Sequence, residues 1–235
     1  MRKGMDRRSF YPGNFQVVFI LIIFLGSCLG WSYACAQGKK EDLSEFLKAT
    51  PFIDCDHPEI IKKAEEVTKN CKTDIEKAKA LFEFVRDSYN ERRCESSVAS
   101  QVLECGGNSC RQRSILLSAL CRAVGIPARL HLQKVTIKNW KDDKGKIGDI
   151  NFAHGITGIY LSGAWHLYEP VGNRAKWLVW TQDERRASEM PVPFFPDRDC
   201  LFKADERIII EILPVFFADR TKEMVELIEK IDSGK

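Results

Sequence analysis

Several common signatures are missing from this sequence. It has no internal repeat and no low-complexity stretch, and its 44% hydrophobic content does not suggest disorder, so repeat arrays and disordered chains are excluded. Its nine cysteines include no Cys-x-x-Cys pair and none with metal-ligand spacing beside a histidine. We therefore expect no metal and no other cofactor, and a thiol-disulfide oxidoreductase is a weak interpretation. What remains is one globular domain with a distinct N-terminal tail.

Excess positive charge is also missing once the first 36 residues are set aside. The formal net charge of +3 comes from four basic residues and one acidic residue in that segment, so residues 37–235 are formally neutral. The charged residues concerned are Arg2, Lys3, Asp6, Arg7 and Arg8. A neutral domain gives no basis for a nucleic-acid surface, so we expect no nucleic-acid partner.

Residues 1–36 are typical of an export signal. Basic residues precede the apolar run Phe15–Leu25, and the segment ends in the small-x-small pattern Ala34-Cys35-Ala36. If the following residues are counted, the run is long enough for an uncleaved membrane anchor. A third alternative is a lipobox, Leu25-Gly26-Ser27-Cys28, with Cys28 lipidated and held at the membrane. All three export the domain, so we expect it in the cell envelope, membrane-anchored, periplasmic or extracellular.

The cysteine count agrees with export. Without the two cysteines of the N-terminal segment, seven remain. They are Cys55, Cys71, Cys94, Cys105, Cys110, Cys121 and Cys200. In an oxidising compartment an odd number allows up to three disulfides and leaves a free thiol. The spacing does not decide which cysteines pair, so the disulfide pattern stays open.

The stretch Gly106–Arg129 has the pattern of a turn, a helix and a stop. It opens on two glycines, which permit a tight turn, and Asn108 or Ser109 can cap the helix that follows. Apolar residues at helical spacing predict one buried face, formed by Ile115, Leu116, Ala119, Leu120 and Ala123. A glycine and a proline then end the helix. Cys110 is therefore predicted in the first turn of a largely buried helix.

A cysteine at this place can act as a nucleophile. The unpaired N–H groups and positive dipole of a helix N-terminus favour the thiolate of Cys110, and a thiolate attacks carbonyl carbons. A backbone N–H at the same helix end can face the oxyanion that the attack creates. For a lone cysteine, however, a buried small side chain or half of a disulfide is the commoner role. Its partners must come from elsewhere in the chain.

A predicted hairpin supplies those partners. Two β-rich runs flank Ser162-Gly163, and a turn centred there places Glu169 opposite Ile156. Because side chains alternate along a strand, His154 shares a face with Ile156 and is a diagonal neighbour of Glu169, whereas His166 points to the other face. Each residue alone has a commoner structural explanation. Together with a helix-terminal cysteine they make a thiol acyl-transfer site.

The rest of the chain predicts helices before this core and strands after it. Helices are predicted from Pro58 to about Asn70, from Thr73 to about Asn90 and from Thr221 onward. Strands are predicted at Ala128–Ile137, Lys176–Trp180 and Arg207–Leu213, with a charged loop at Lys138–Ile150 and an extended crossing at Pro191–Pro196. The expected organisation is a signal or anchor at 1–36, a polar linker at 37–55 and one domain at 56–235. No oligomeric state is indicated.

Two segments together resemble the transglutaminase-like superfamily. One is Glu104–Cys110 followed by Leu116–Arg129, which ends in Arg-Ala-Val-Gly-Ile-Pro-Ala-Arg and is similar to the family's nucleophile segment. The other runs from His154 through a Trp-containing strand to Glu169-Pro170, and is similar to the family's histidine strand followed by Asp-Pro. The order Cys, His, acid is also the family's. The resemblance spans roughly residues 55–235, and it departs from the family in having glutamate at the acid position.

The resemblance implies an α+β fold in which N-terminal helices and the Cys110 helix pack on an antiparallel sheet, as in the papain-type and transglutaminase core. It implies Cys110 as nucleophile, His154 as base and Glu169 as orienting acid, acting on amide bonds of protein or peptide substrates through a thioester. A peptidase or amidase is favoured over an amine transferase, because no amine-acceptor site is identified. The rival is a tethered, non-catalytic peptide-binding or assembly module, which a Cys105–Cys110 disulfide would favour.

Overall fold

Helices come first along the chain and a sheet follows. The structure, a computed structural model, describes residues 41–88, 94–107, 109–141, 144–170, 192, 194–201 and 208–234. Its helices are a short 3₁₀ helix (Leu43–Leu47), α1 (Pro58–Thr68), α2 (Asp74–Asp87), α3 (Ala99–Cys105), α4 (Cys110–Ala123) and α5 (Lys222–Asp232). Its strands are β1 (Ala128–Lys141), β2 (Ile147–Leu161), β3 (Ala164–Tyr168) and β4 (Ile208–Phe217). The strands pair antiparallel in the order β3-β2-β1-β4, which confirms the α+β class.

Local sequence signals set the helix boundaries. α1 begins at Pro58, because the first turn of a helix needs no N–H from that residue. Thr73 caps α2 through the predicted capping box, in which each of Thr73 and Glu76 accepts a backbone N–H of the other at 3.2 Å. α3 is an addition to the prediction. It ends at Gly106, whose φ of 90° suits glycine.

α4 is the buried axis of the domain. Ser109 is its cap and forms a second capping box with Gln112. The sequence predicted one buried face, but every α4 residue from Gln112 to Arg122 is buried. The reason is its surroundings, since α4 contacts α1, α2 and α3 as well as β1 and β2. The core cluster around it includes Ile115, Leu116, Leu117, Ala119, Leu120, Cys121, Leu130, Leu132 and Ile159.

The segment before α1 belongs to the domain, although the sequence suggested a polar linker there. Phe46 is buried, and its ring packs edge-on against Trp165 at 5.1 Å and Phe216 at 5.9 Å between centroids. Ile53 is fully buried as well. The compact unit therefore starts earlier than expected and comprises Asp42–Lys235.

The central strands are longer than predicted. β1 and β2 both extend into Lys138–Ile150, which the sequence predicted as a loop, and they pair with each other there. The extension is mostly exposed and charged, so the apolar alternation that indicates a strand is weak. β4 likewise continues to Phe217, and α5 begins after Thr221 as predicted. The strand predicted at Lys176–Trp180 lies outside the described residues.

The predicted export segment, residues 1–36, also lies outside the described residues, and export stays a prediction. Within the part of the chain that is described, no helix is both long and apolar enough to cross a membrane. One disulfide joins Cys94 to Cys105, whose Cα atoms are 5.6 Å apart. Among the described residues, the free thiols are Cys55, Cys71, Cys110, Cys121 and Cys200.

Candidate active site

The N-terminus of α4 lies against an edge of β2. β3 pairs with β2 from Thr157 to Leu161, which leaves the edge at Gly155 to α4. The Gly155 N–H donates to the Cys110 sulfur at 3.4 Å. A Cβ at residue 155 would lie only 2.9 Å from the Cα of Arg111. Gly155 therefore permits the close approach that brings the thiol of Cys110 to the strand.

The hairpin has the predicted register. His166 pairs with Ile159, which places Glu169 opposite Ile156 just after β3 ends. Nε2 of His154 lies 2.7 Å from Oε1 of Glu169, and the two side chains are only 2% and 4% exposed. The pairing partner of His166, Ile159, is an odd number of residues from His154 in β2, so His166 lies on the other face of the sheet from His154. The structure thus brings together the histidine and the acid that the register selected.

Cys110 and His154 are buried neighbours, and each shifts the pKa of the other. Nε2 of His154 bonds Glu169, and the second ring nitrogen, Nδ1, is buried. Burial alone would raise the pKa of the Cys110 thiol, but the charge and hydrogen bond of His154, with the Gly155 N–H, lower that pKa below its ordinary value. Burial likewise opposes the imidazolium, yet the negative charges of Cys110 and Glu169 raise the pKa of His154 to about 10. The two shifts together favour the thiolate of Cys110 and the imidazolium of His154 over the neutral pair.

Cys121 shows how a buried thiol of the same helix behaves in an apolar setting. It is fully buried in the core cluster, and desolvation raises its pKa to about 12. Burial also raises the pKa of Cys55 and of Cys200. Among the cysteines with a shifted pKa, Cys110 differs in the direction of the shift, and the difference comes from His154 and the strand edge.

The segment before α4 is held by a disulfide and by one side chain. Cys105 is bonded to Cys94, and Cys110 is a free thiol, so the Cys105–Cys110 disulfide that would have favoured a non-catalytic module is not formed. Nε2 of Gln112 donates to the carbonyl oxygens of Cys94 at 2.8 Å and Ser96 at 2.6 Å. The start of α4 is thereby tied to the disulfide-linked segment.

The chain at Glu169 is held by a segment that sequence analysis did not connect with it. The Glu169 N–H donates to the Cys200 carbonyl at 3.0 Å, and the Cys200 N–H donates to the Leu167 carbonyl at 2.7 Å. Tyr168 is fully buried and its ring stacks on Phe194 at 5.1 Å between centroids. Phe194 and Cys200 lie well beyond β3 in the sequence, and no sequence pattern predicts that they contact it.

Nothing in the sequence indicated Asp232, which bonds a chain neighbour of Cys110 and a chain neighbour of His154. Its Oδ1 accepts the N–H of Ala153 at 2.7 Å, and its Oδ2 lies 3.5 Å from Nη1 of Arg111. Ala153 precedes His154 and Arg111 follows Cys110. The sequence cannot predict that this carboxylate meets Ala153 or Arg111, because they come together only when the fold places α5 beside β2.

A buried amide lies beside the histidine. Gln133 pairs with His154 across β1 and β2, so their side chains share a face of the sheet. Gln133 is 1% exposed, and within the described part of the chain neither polar atom of its side chain has a hydrogen-bond partner.

The described residues contain no group of three or more His, Cys, Asp or Glu side chains that could hold a metal ion.

Known proteins show two similarities to this chain. The family model for the transglutaminase-like superfamily matches residues 61–170, a range that includes Cys110, His154 and Glu169. Among solved structures, a Cytophaga hutchinsonii protein proposed to be a cysteine protease is similar, with 16% identity and a TM-score of 0.44. That similarity covers 73% of this chain and 63% of the length of the other protein. No curated protein matches the sequence.

Proposed function

Because residues 61–170 belong to the transglutaminase-like superfamily, we propose that this protein is a thiol enzyme acting on amide bonds of protein or peptide substrates. The observation that carries the proposal is the chain of contacts from the Cys110 sulfur through His154 to Glu169. In this proposal Cys110 is the nucleophile, His154 the acid and base, and Glu169 the residue that orients the imidazole.

The first half of the reaction forms a thioester. The Cys110 thiolate attacks the amide carbonyl carbon, a C–S bond forms, and the carbonyl oxygen becomes an oxyanion. N–H groups in the first turn of α4 can bond that oxyanion. The Gln112 N–H already bonds the capping side chain, so those of Cys110 and Arg111 are the candidates. His154 gives its proton to the leaving nitrogen as the C–N bond breaks, and Glu169 supports the imidazolium until then.

The second half restores the thiolate. The neutral His154 takes a proton from water, the water oxygen attacks the thioester carbonyl, and the C–S bond breaks to release a carboxylic acid. An amine in place of water would give a new amide instead. We favour water, since no amine-acceptor site is identified in the sequence. Incorporation of a fluorescent primary amine into a protein substrate distinguishes the two outcomes.

We also propose that the enzyme works in the cell envelope or outside the cell. The support is the Cys94–Cys105 disulfide, since such bonds form and persist in oxidising compartments, together with the signal-like pattern of residues 1–36. A membrane link would then come from an uncleaved segment or from lipid on Cys28. Cell fractionation, with mass spectrometry of the mature N-terminus, tests this proposal.

The deciding experiment is iodoacetamide labelling of the non-reduced protein across a pH series, with mass-spectrometric assignment of the labelled cysteine. We expect Cys110 to react with an apparent pKa well below the ~8.5 of a free thiol, and His154→Ala to raise that pKa. Cys110→Ala should abolish peptide turnover and His154→Ala nearly so, whereas the matched control His166→Ala should not. An inert Cys110 would refute the proposal and turn attention to a non-catalytic module.

A further inference from the structure

Arg113 is a buried cation that joins three parts of the site. It lies three residues after Cys110 in α4 and is 2% exposed. Its Nε donates to the Gly107 carbonyl at 3.2 Å. Its Nη1 lies within hydrogen-bond distance of the carbonyl oxygens of residues 85 and 86 at 2.6 and 3.1 Å, and of Pro170 at 3.1 Å. One guanidinium thus holds carbonyl groups from three separate segments.

Each of these carbonyl groups has a defined place around the site. Gly107 is in the glycine turn that leads into α4, with a φ of 51°. Pro170 directly follows Glu169. Residues 85 and 86 are in the last turn of α2, where carbonyl groups lack intrahelical donors and the helix dipole favours a cation. Arg113 therefore ties the nucleophile side of the site to the acid side through the end of α2.

We propose that Arg113 is a positioning residue, which fixes the glycine turn before Cys110 relative to the chain that carries Glu169. This inference rests on the proposed function of Cys110, His154 and Glu169. The imidazole must meet the sulfur on one side and the carboxylate on the other, so a drift of either segment breaks one of the two contacts. A planar guanidinium can hold several carbonyl groups at fixed angles, whereas a lysine ammonium is a single point charge.

Arg122 provides a matched control in the same helix. It is 4% exposed and also bonds backbone carbonyl groups, those of Ala128 at 2.9 and 2.8 Å, Lys48 at 2.8 Å and Ala218 at 2.6 Å. It lies nine residues after Arg113, about 14 Å along the helix axis. Arg122→Lys therefore removes the same kind of interaction from the same helix without touching the carbonyl groups around the site.

The experiment compares Arg113→Lys with Arg122→Lys in the full chain. It measures the thermal unfolding temperature, the pH profile of Cys110 alkylation by iodoacetamide, and kcat and KM on a peptide substrate. We expect both variants to unfold at lower temperature. Only Arg113→Lys should raise the apparent pKa of alkylation, by about one unit, and lower kcat about tenfold or more with little change in KM. Equal alkylation profiles in the two variants would overturn the inference and leave Arg113 a purely structural residue.

A wild-type measurement decides if Arg113→Lys does not fold. The Nε–H signal of Arg113 in a nitrogen-15 NMR spectrum should shift when Cys110 is alkylated, while that of Arg122 stays in place. An unmoved Arg113 signal would overturn the inference. A wild-type Cys110 that lacks a lowered pKa would instead contradict the proposed function, so the two failures are distinguishable.

Discussion

Replacing Gly155 with alanine tests the close contact between α4 and β2. The added Cβ would lie 2.9 Å from Cα, 3.0 Å from Cγ and 3.2 Å from N of Arg111. Carbon atoms in contact normally lie about 3.5–4.0 Å apart, so the helix and the strand must separate by roughly 0.5–1 Å. Two of the three atoms belong to the backbone, so rotation of the arginine side chain cannot relieve the collision.

The separation should affect the chemistry more than the stability. Overpacking of this kind costs about 1–3 kcal/mol in the free energy of unfolding. The hydrogen bond from the Gly155 N–H to the Cys110 sulfur is 3.4 Å long, and a separation of this size would lengthen and weaken it. Since a misplacement of about 1 Å at reacting groups can cost 100-fold, we expect kcat/KM to fall about 10- to 100-fold. The pKa of Cys110 should rise, because the hydrogen bond to the thiolate is weakened.

Gly148→Ala is the matched control for this prediction. It lies in the same strand, and no atom lies within 4 Å of a Cβ added there. Both variants are compared by kcat/KM, by the pH profile of Cys110 alkylation and by urea denaturation. Normal turnover and alkylation in Gly155→Ala would refute the argument from close contact. Equal losses in Gly148→Ala would show that the effect belongs to alanine in β2 and not to the contact with α4.

Three further predictions concern pH, the disulfide and the buried amide. The pH profile of kcat/KM should be bell-shaped. On the acid side activity should fall as the Cys110 thiolate is protonated below its lowered pKa, and on the alkaline side it should fall near pH 10 as His154 loses its proton. A profile without the alkaline fall would contradict this prediction. The double substitution Cys94→Ser and Cys105→Ser removes a disulfide between residues 11 apart and should lower the free energy of unfolding by about 3 kcal/mol. The measurement is guanidinium denaturation, and an unchanged midpoint would contradict this prediction. Gln133→Leu should raise the free energy of unfolding by about 1–2 kcal/mol in the same assay, because it removes a buried amide without hydrogen-bond partners. A decrease would show that the Gln133 amide is hydrogen-bonded in the folded protein.

The relation between His154 and Glu169 could be predicted because it depends on a short-range signal. A two-residue turn at Ser162-Gly163 sets the pairing of β2 with β3, and alternation then decides which residues share a face. The same reasoning placed His166 on the other face, and the structure confirms that register. The start of α4 could be predicted for a similar reason, since its turn glycines and its cap lie within four residues of Cys110.

Burial and long-range support could not be predicted in the same way. The apolar spacing of α4 indicated one buried face, whereas the helix is buried on all sides. Periodicity identifies the apolar residues that face the core, but it does not show which polar residues of the helix are also buried. Arg113 and Arg122 look like exposed charges by composition, yet each is buried because carbonyl groups from other segments surround its guanidinium. Those carbonyl groups belong to the backbone, so the side-chain sequence carries no information about them.

The proposed acid, Glu169, is a glutamate at a position where the family that the sequence resembles usually has an aspartate. Strand register predicts that Glu169 is near His154, but it does not give the distance between the two side chains. Nε2 of His154 and Oε1 of Glu169 are 2.7 Å apart, so the longer side chain does meet the imidazole. Room for it arises because β3 ends at Tyr168 and Glu169 lies beyond the strand. There its N–H bonds the Cys200 carbonyl and the next residue, Pro170, is held by the guanidinium of the buried arginine in α4. The additional methylene is thus accommodated by a chain that has already left the sheet, and supports on both sides of the glutamate set where its carboxylate lies.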